Sequence, residues 1–274
     1  MLDFFANPFL VSALLAGFAA SITSGIIGSY VVVKRIVFIS GSISHSVLGG
    51  MGLCFWLKRT YGLDWLLPLY GALFAAIGSA LLIGWVRLKY QEREDTVIAA
   101  LWATGMSIGV IFISLTPGYN VELMNYLFGN ILWVTQSDLL LILGLDLIVI
   151  TLVALFHQKF LAICFDEQQA VLQNIKVKSY YLLLLCLVAL SVVLLIQVVG
   201  AILIIALLAI PAAIASGMTF RLSKMMFLAI IISCLFTFIG TFLSYELNWP
   251  PGATIALTAA LFYLLNFLIK RSGH

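Results

Sequence analysis

Apolar positions run along this chain in long stretches, and polar residues gather in short breaks between them. About 20 apolar residues make a helix long enough to cross a hydrocarbon core of roughly 30 Å. The breaks predict nine spans, at 9–33, 37–57, 65–86, 96–115, 138–156, 180–198, 200–217, 225–245 and 252–269. The division between the sixth and seventh rests on Gln197 and Gly200, inside an apolar run about twice what one crossing needs. A broken or re-entrant helix there is the alternative, so the expected count is eight or nine.

Composition agrees with that pattern. The 274 residues are 64% hydrophobic and 9% charged, with a mean hydropathy of +1.18. A soluble domain carries about 25% charged residues. The fold class expected is all-α, a polytopic membrane protein, with residues 1–274 forming one transmembrane domain in contact with lipid. A net charge of +3 gives no reason to expect a nucleic-acid partner. The four cysteines have no CxxC spacing, which argues against a disulfide framework or a zinc cluster. The N-terminal MLDFFANPFL lacks a basic leader, so the first apolar run reads as a retained span.

The basic residues set an orientation. If the spans alternate sides, twelve of the fourteen Lys and Arg fall on one side, and only Lys58 and Arg59 on the other. Positive charge collects in cytoplasmic loops. The N-terminus is therefore expected outside and the C-terminus in the cytoplasm. Residues 116–137 become an external, aromatic-rich segment. Residues 157–179 become a cytoplasmic segment able to form one amphipathic helix, and 218–224 a short cytoplasmic turn.

Against this apolar background, SISHSVLGGMG at 42–52 is unusual. His45 lies nine residues into the second span, about 14 Å at 1.5 Å per residue and close to mid-bilayer. Gly41, His45, Gly49 and Gly52 share one face. Small residues permit close helix packing or leave room beside a cavity. His45 reads either as a packing residue bonded to a serine or as part of a pathway, because intramembrane ionisable groups face the bundle interior. Neutral imidazole is also a ligand for divalent transition metals. Asp146, in LILGLDLIVI, can line a pathway or pair with a buried polar group. Glu122, in the external segment, reads alone as a solvated interface charge, and Asp95 as a carboxylate at a helix N-terminus. The chain has no GxxxxGK[ST] and no HExxH, so it carries neither a P-loop ATPase nor a zincin site.

Six stretches, in order, resemble the permease subunits of zinc, manganese and iron ABC importers. They are GSYVVVKRIVFISGSISHSVLGG at 28–50, EDTVIAA at 94–100, VELMNYLFGNILWVTQSDL at 121–139, FDEQQAVLQNIKV at 165–177, VGAILIIALLAIPAAIA at 199–215 and NWPPGAT at 248–254. The resemblance covers nearly the whole chain. It implies a compact relative of the vitamin B12 and siderophore permease fold, in a bacterial plasma or inner membrane. It implies no enzymatic activity of the chain's own and no resident cofactor. The transported ion would be zinc, manganese or iron. The implied partners are a separate ABC ATPase, an extracellular or periplasmic metal-binding protein and a second copy of the permease. An ATP-independent cation carrier or channel is the competing reading.

Carried onto this sequence, the resemblance places the pathway histidine at His45 and the acid before Tyr-Leu-Phe-Gly at Glu122. Many members of the family have an aspartate where this chain has Gly41; either another acid substitutes, with Asp146 the candidate, or the site is softer and histidine-centred. Gly49 stands where proline is common, Glu167 replaces the proline of Phe-Asp-Pro-Glu, and Asn174 replaces a glycine. The contact with the ATPase is expected at 216–225, with Arg221 and Lys224 as its charged members. The second expected contact is the 165–177 segment, with Asp166 and Glu167.

Overall fold

In a computed structural model, which describes residues 8–90, 94–116, 131 and 134–272, ten α-helices and no strands are found among the described residues. They are α1 Pro8–Val33, α2 Val37–Tyr61, α3 Pro68–Tyr90, α4 Glu94–Leu115, α5 Gln136–Phe165, α6 Glu167–Leu172, α7 Val177–Val199, α8 Ala201–Ser216, α9 Leu222–Leu247 and α10 Pro251–Ser272. Helices answer the chemistry of the bilayer, because each satisfies its own backbone groups where water cannot. Eight are long and apolar enough to cross a membrane. The exceptions are the six-residue α6 and α8, whose 16 residues reach about 24 Å, short of a hydrocarbon core.

The helix ends follow local chemistry. Gly62 closes α2 with φ 66°, and Asn248 closes α9 with φ 54° while its N–H bonds the Ser244 carbonyl. Proline opens α3 at Pro68 and α10 at Pro251, where its missing N–H has no partner to lose. The predicted break at Gly200 is present: its backbone turns to φ 86°, ψ 157° between α7 and α8. Asn174 takes the left-handed conformation (φ 57°) that its glycine-like place requires.

One expectation fails. Residues 157–179 do not form a single amphipathic helix. Residues 157–165 prolong α5, and Asp166 then starts a new helix by accepting the backbone N–H groups of Gln168 and Gln169. The chain turns at Asn174 before α7 begins. A capping side chain at Asp166 stops one helix and nucleates the next, which the apolar pattern does not encode.

The chain forms two compact units. The first comprises Met1–Arg35, Met124–Phe156 and Leu194–His274, and the second Ile36–Leu123 and His157–Val193. In the first, α1 packs against α8 and α9, and α10 against the same two helices. In the second, α2 packs against both α3 and α4. Glycine makes these crossings close. A Cβ at Gly49 would lie 2.8 Å from the Gly105 carbonyl oxygen, and one at Gly52 3.0 Å from that of Gly109, both on α4. On another side of α2, a Cβ at Gly50 would run into the Gly71 carbonyl of α3. Three glycines of the α2 stretch are therefore packing positions.

Candidate functional site

His45 sits half-buried on α2. The serines around it are turned toward backbone carbonyls. Ser44 donates to Ser40 (2.9 Å), Ser46 to Ser42 (3.0 Å), and Ser42 across to Ile98 on α4 (3.1 Å). None donates to the imidazole. His45 Nδ1 is buried and has no hydrogen-bond partner among the described residues. The ring instead stacks on the Trp102 indole of α4, with centroids 4.4 Å apart and planes 22° apart. The same indole covers Gly41, where a Cβ would lie 3.0 Å from Cζ3 of Trp102. Thus the small-residue face provides packing at Gly49 and Gly52 and a seat for an aromatic ring at Gly41. Trp102 is the residue that sequence reasoning missed. It lies eight residues into α4, in an apolar run where an indole has no distinguishing periodicity.

Asp146 belongs to the first unit and His45 to the second. Asp146 is 3% exposed. Its Oδ1 accepts the backbone N–H of Thr23 on α1 (3.1 Å) and the Thr23 hydroxyl (2.5 Å), while Oδ2 has no partner among the described residues. A carboxylate inside a membrane bundle pairs with polar groups or the backbone to offset its burial, and Thr23 provides both. Nearby in chain order, Ser21 accepts a hydrogen bond from Ser233 of α9 (3.0 Å), extending the polar contacts of α1.

Glu122 lies outside the described residues. Among the described residues, no three His, Cys, Asp or Glu side chains gather to hold a metal ion.

The residues expected to meet an ATPase fall into two kinds. Arg221 and Lys224 are exposed where the turn after α8 enters α9, beside Met218 and a fully exposed Phe220. Asp166 and Glu167 have local partners. Asp166 caps α6, and Glu167 pairs with Arg87 at 3.1 Å. The Arg87 guanidinium lies over the Tyr181 ring, 4.5 Å from its centroid. This tethers α6 to α3 and α7. The chain also contains a GxSxG spacing, GMSIG at 105–109, but it lies inside α4. Gly105 and Gly109 there face α2, whereas a nucleophile elbow needs a strand-to-helix turn.

These features define a polytopic helical membrane protein with ionisable residues set into its spans. Residues 6–270 match the ABC 3 transport family, and the chain belongs to that family. It is 47% identical over 265 residues to a probable metal transport system membrane protein of Chlamydia trachomatis, covering 97% of this chain and 90% of that one. It is 35% identical over 260 residues to the manganese transport system membrane protein MntC of Listeria monocytogenes, covering 95% and 90%. Its fold matches a chain of PsaBC from Streptococcus pneumoniae, solved in complex with Fab, with a TM-score of 0.83, 30% identity, and coverage of 97% and 95%. The family is one of transport proteins rather than of enzymes.

Proposed function

We propose that this chain is the membrane-spanning subunit of an ABC importer for a divalent transition metal ion: zinc, manganese or iron. Membership of the ABC 3 transport family carries this reading. His45 supports it locally, with a buried Nδ1 that no described residue engages. Neutral imidazole nitrogen is a borderline ligand suited to such ions. A transported ion needs few or weak ligands, since it must also leave. His45 is therefore the first contact along the route. Glu122 is a second by resemblance, and Asp146, through Oδ2, a third.

In this reading the shorter α8 also passes through the membrane as a ninth segment, so the N-terminus is outside and the C-terminus cytoplasmic, an arrangement that puts twelve of fourteen basic residues on the cytoplasmic side. A second copy of the chain completes the passage. An ABC ATPase docks at the turn around Phe220, where Met218, Phe220, Arg221 and Lys224 are exposed together. Asp166 and Glu167 form a second, smaller contact through α6. An external metal-binding protein delivers the ion.

The test is accumulation of radiolabelled zinc, manganese and iron in import-deficient bacteria. The cells express this chain with its ATPase and metal-binding protein, beside a His45→Ala strain matched for membrane level. Accumulation of one metal that needs ATPase activity and falls in His45→Ala is the expected result. Accumulation that does not need the ATPase replaces this reading with that of a carrier.

A further inference from the structure

Trp102 reaches from α4 onto the face of α2 that carries His45. Two facts of geometry combine there. The indole stacks on the imidazole, and it fills the space one helical turn earlier, over Gly41. With a Cβ at position 41 already 3.0 Å from the ring, the indole and a longer side chain at 41 compete for one volume. The surrounding serines are engaged by backbone carbonyls and do not orient the imidazole. Indole Nε1–H is a donor only and gives a cation no lone pair.

We propose that Trp102 is a positioning and specificity-determining residue for ion passage, holding the His45 imidazole in one plane and excluding a second ligand from position 41. The inference rests on the reading that the ion passes His45. Its consequence is chemical. The ion meets one imidazole nitrogen against an aromatic wall, with no carboxylate a turn away. Zinc and iron accept imidazole readily, whereas manganese favours carboxylate and water oxygen. The Trp102–Gly41 pair therefore biases this step toward zinc or iron.

The experiment uses the complete transporter in cells, with zinc and manganese each supplied alone and membrane levels matched. Using the same metal-binding protein throughout means its own preference cancels in every comparison with the wild type. Trp102→Leu keeps apolar bulk without a ring, and Trp102→Phe keeps a ring. Loss of a group that orients a ligand costs about ten- to a hundredfold in metal affinity or activity. Zinc uptake at sub-saturating metal is expected to fall by that range in Trp102→Leu, and to stay within about threefold of wild type in Trp102→Phe. Trp102→Leu adds no further loss to the residual uptake of His45→Ala. The double change Gly41→Asp with Trp102→Ala raises the manganese-to-zinc ratio about tenfold, as an added oxygen ligand should.

Wild-type zinc uptake in Trp102→Leu overturns the inference, as does equal impairment in Trp102→Leu and Trp102→Phe. If His45→Ala loses uptake while Trp102→Leu keeps it, this inference alone fails. If His45→Ala keeps it, the reading of His45 fails as well.

Discussion

Asp146 of α5 holds Thr23 of α1 by two of its polar groups at once, accepting both the backbone N–H and the hydroxyl through Oδ1. The contact is buried, and no described residue engages the other carboxylate oxygen. Side-chain hydrogen bonds between membrane helices average about 0.6 kcal/mol and reach about 1.7 kcal/mol. Asp146→Asn keeps an acceptor at Oδ1 and is expected to cost under about 1 kcal/mol in thermal unfolding of the detergent-solubilised protein. Asp146→Leu removes the acceptor and should cost about 1–3 kcal/mol. A metal role adds a separate signature. Asp146→Asn would then lower ion uptake well below what its small loss of stability explains, while Thr23→Val would not.

Glycines at helix crossings should respond oppositely to glycines facing outward. A Cβ at Gly28 would collide with the Leu208 carbonyl of α8, and backbone cannot swing aside. Gly28→Ala is expected to destabilise by about 1–3 kcal/mol, in the range of overpacked sites. Gly78, on α3, has nothing within 4 Å of the added carbon. Gly78→Ala should raise the melting temperature slightly, since alanine favours a helix over glycine by about 1 kcal/mol. Equal effects of the two substitutions in a thermal melt would refute the α1–α8 contact.

Gly200 makes a third case. Its φ of 86° with ψ of 157° falls in a region open essentially to glycine alone. Gly200→Ala should cost about 1–3 kcal/mol, and Gly200→Asn should not recover it. Asn174 differs, because its φ of 57° is left-handed helical and asparagine tolerates it. Asn174→Gly is expected to be near neutral in the same melt. The pair of results distinguishes a hinge that needs glycine from a turn that does not.

The turn before α9 is expected to separate assembly from stability. Phe220, Arg221 and Lys224 are exposed, so replacing them removes little packing within the chain. Phe220→Ala combined with Arg221→Glu and Lys224→Glu should change stability by no more than about 0.5 kcal/mol per site. It should nonetheless abolish co-purification of the ATPase and metal uptake. Retained co-purification would move the docking site elsewhere, with α6 and its Arg87-tethered Glu167 next in line.

The sequence alone determined the helical, membrane-spanning class and most span positions, because the bilayer demands long apolar runs and self-satisfied backbones. Gly200 marked a boundary for a local reason, since glycine widens what the backbone can do, whereas the start of α3 at Pro68 lies inside the predicted 65–86 span. His45 was legible as a polar residue in the wrong solvent. Other features required tertiary structure. Whether Gly41, Gly49 and Gly52 pack a helix or line a space depends on what α4 brings against them, and α4 brings Gly105 and Gly109 at one end and an indole at the other. Asp146 could be read either as lining a pathway or as pairing with a buried polar group, and only the fold identifies a partner, Thr23 of α1, 123 residues away in the chain. The end of α5 at Asp166 likewise hinged on one capping carboxylate. Apolar periodicity reports how much of a helix avoids water. It does not report which neighbour the helix meets, since contacts between distant segments exist only once the chain has folded.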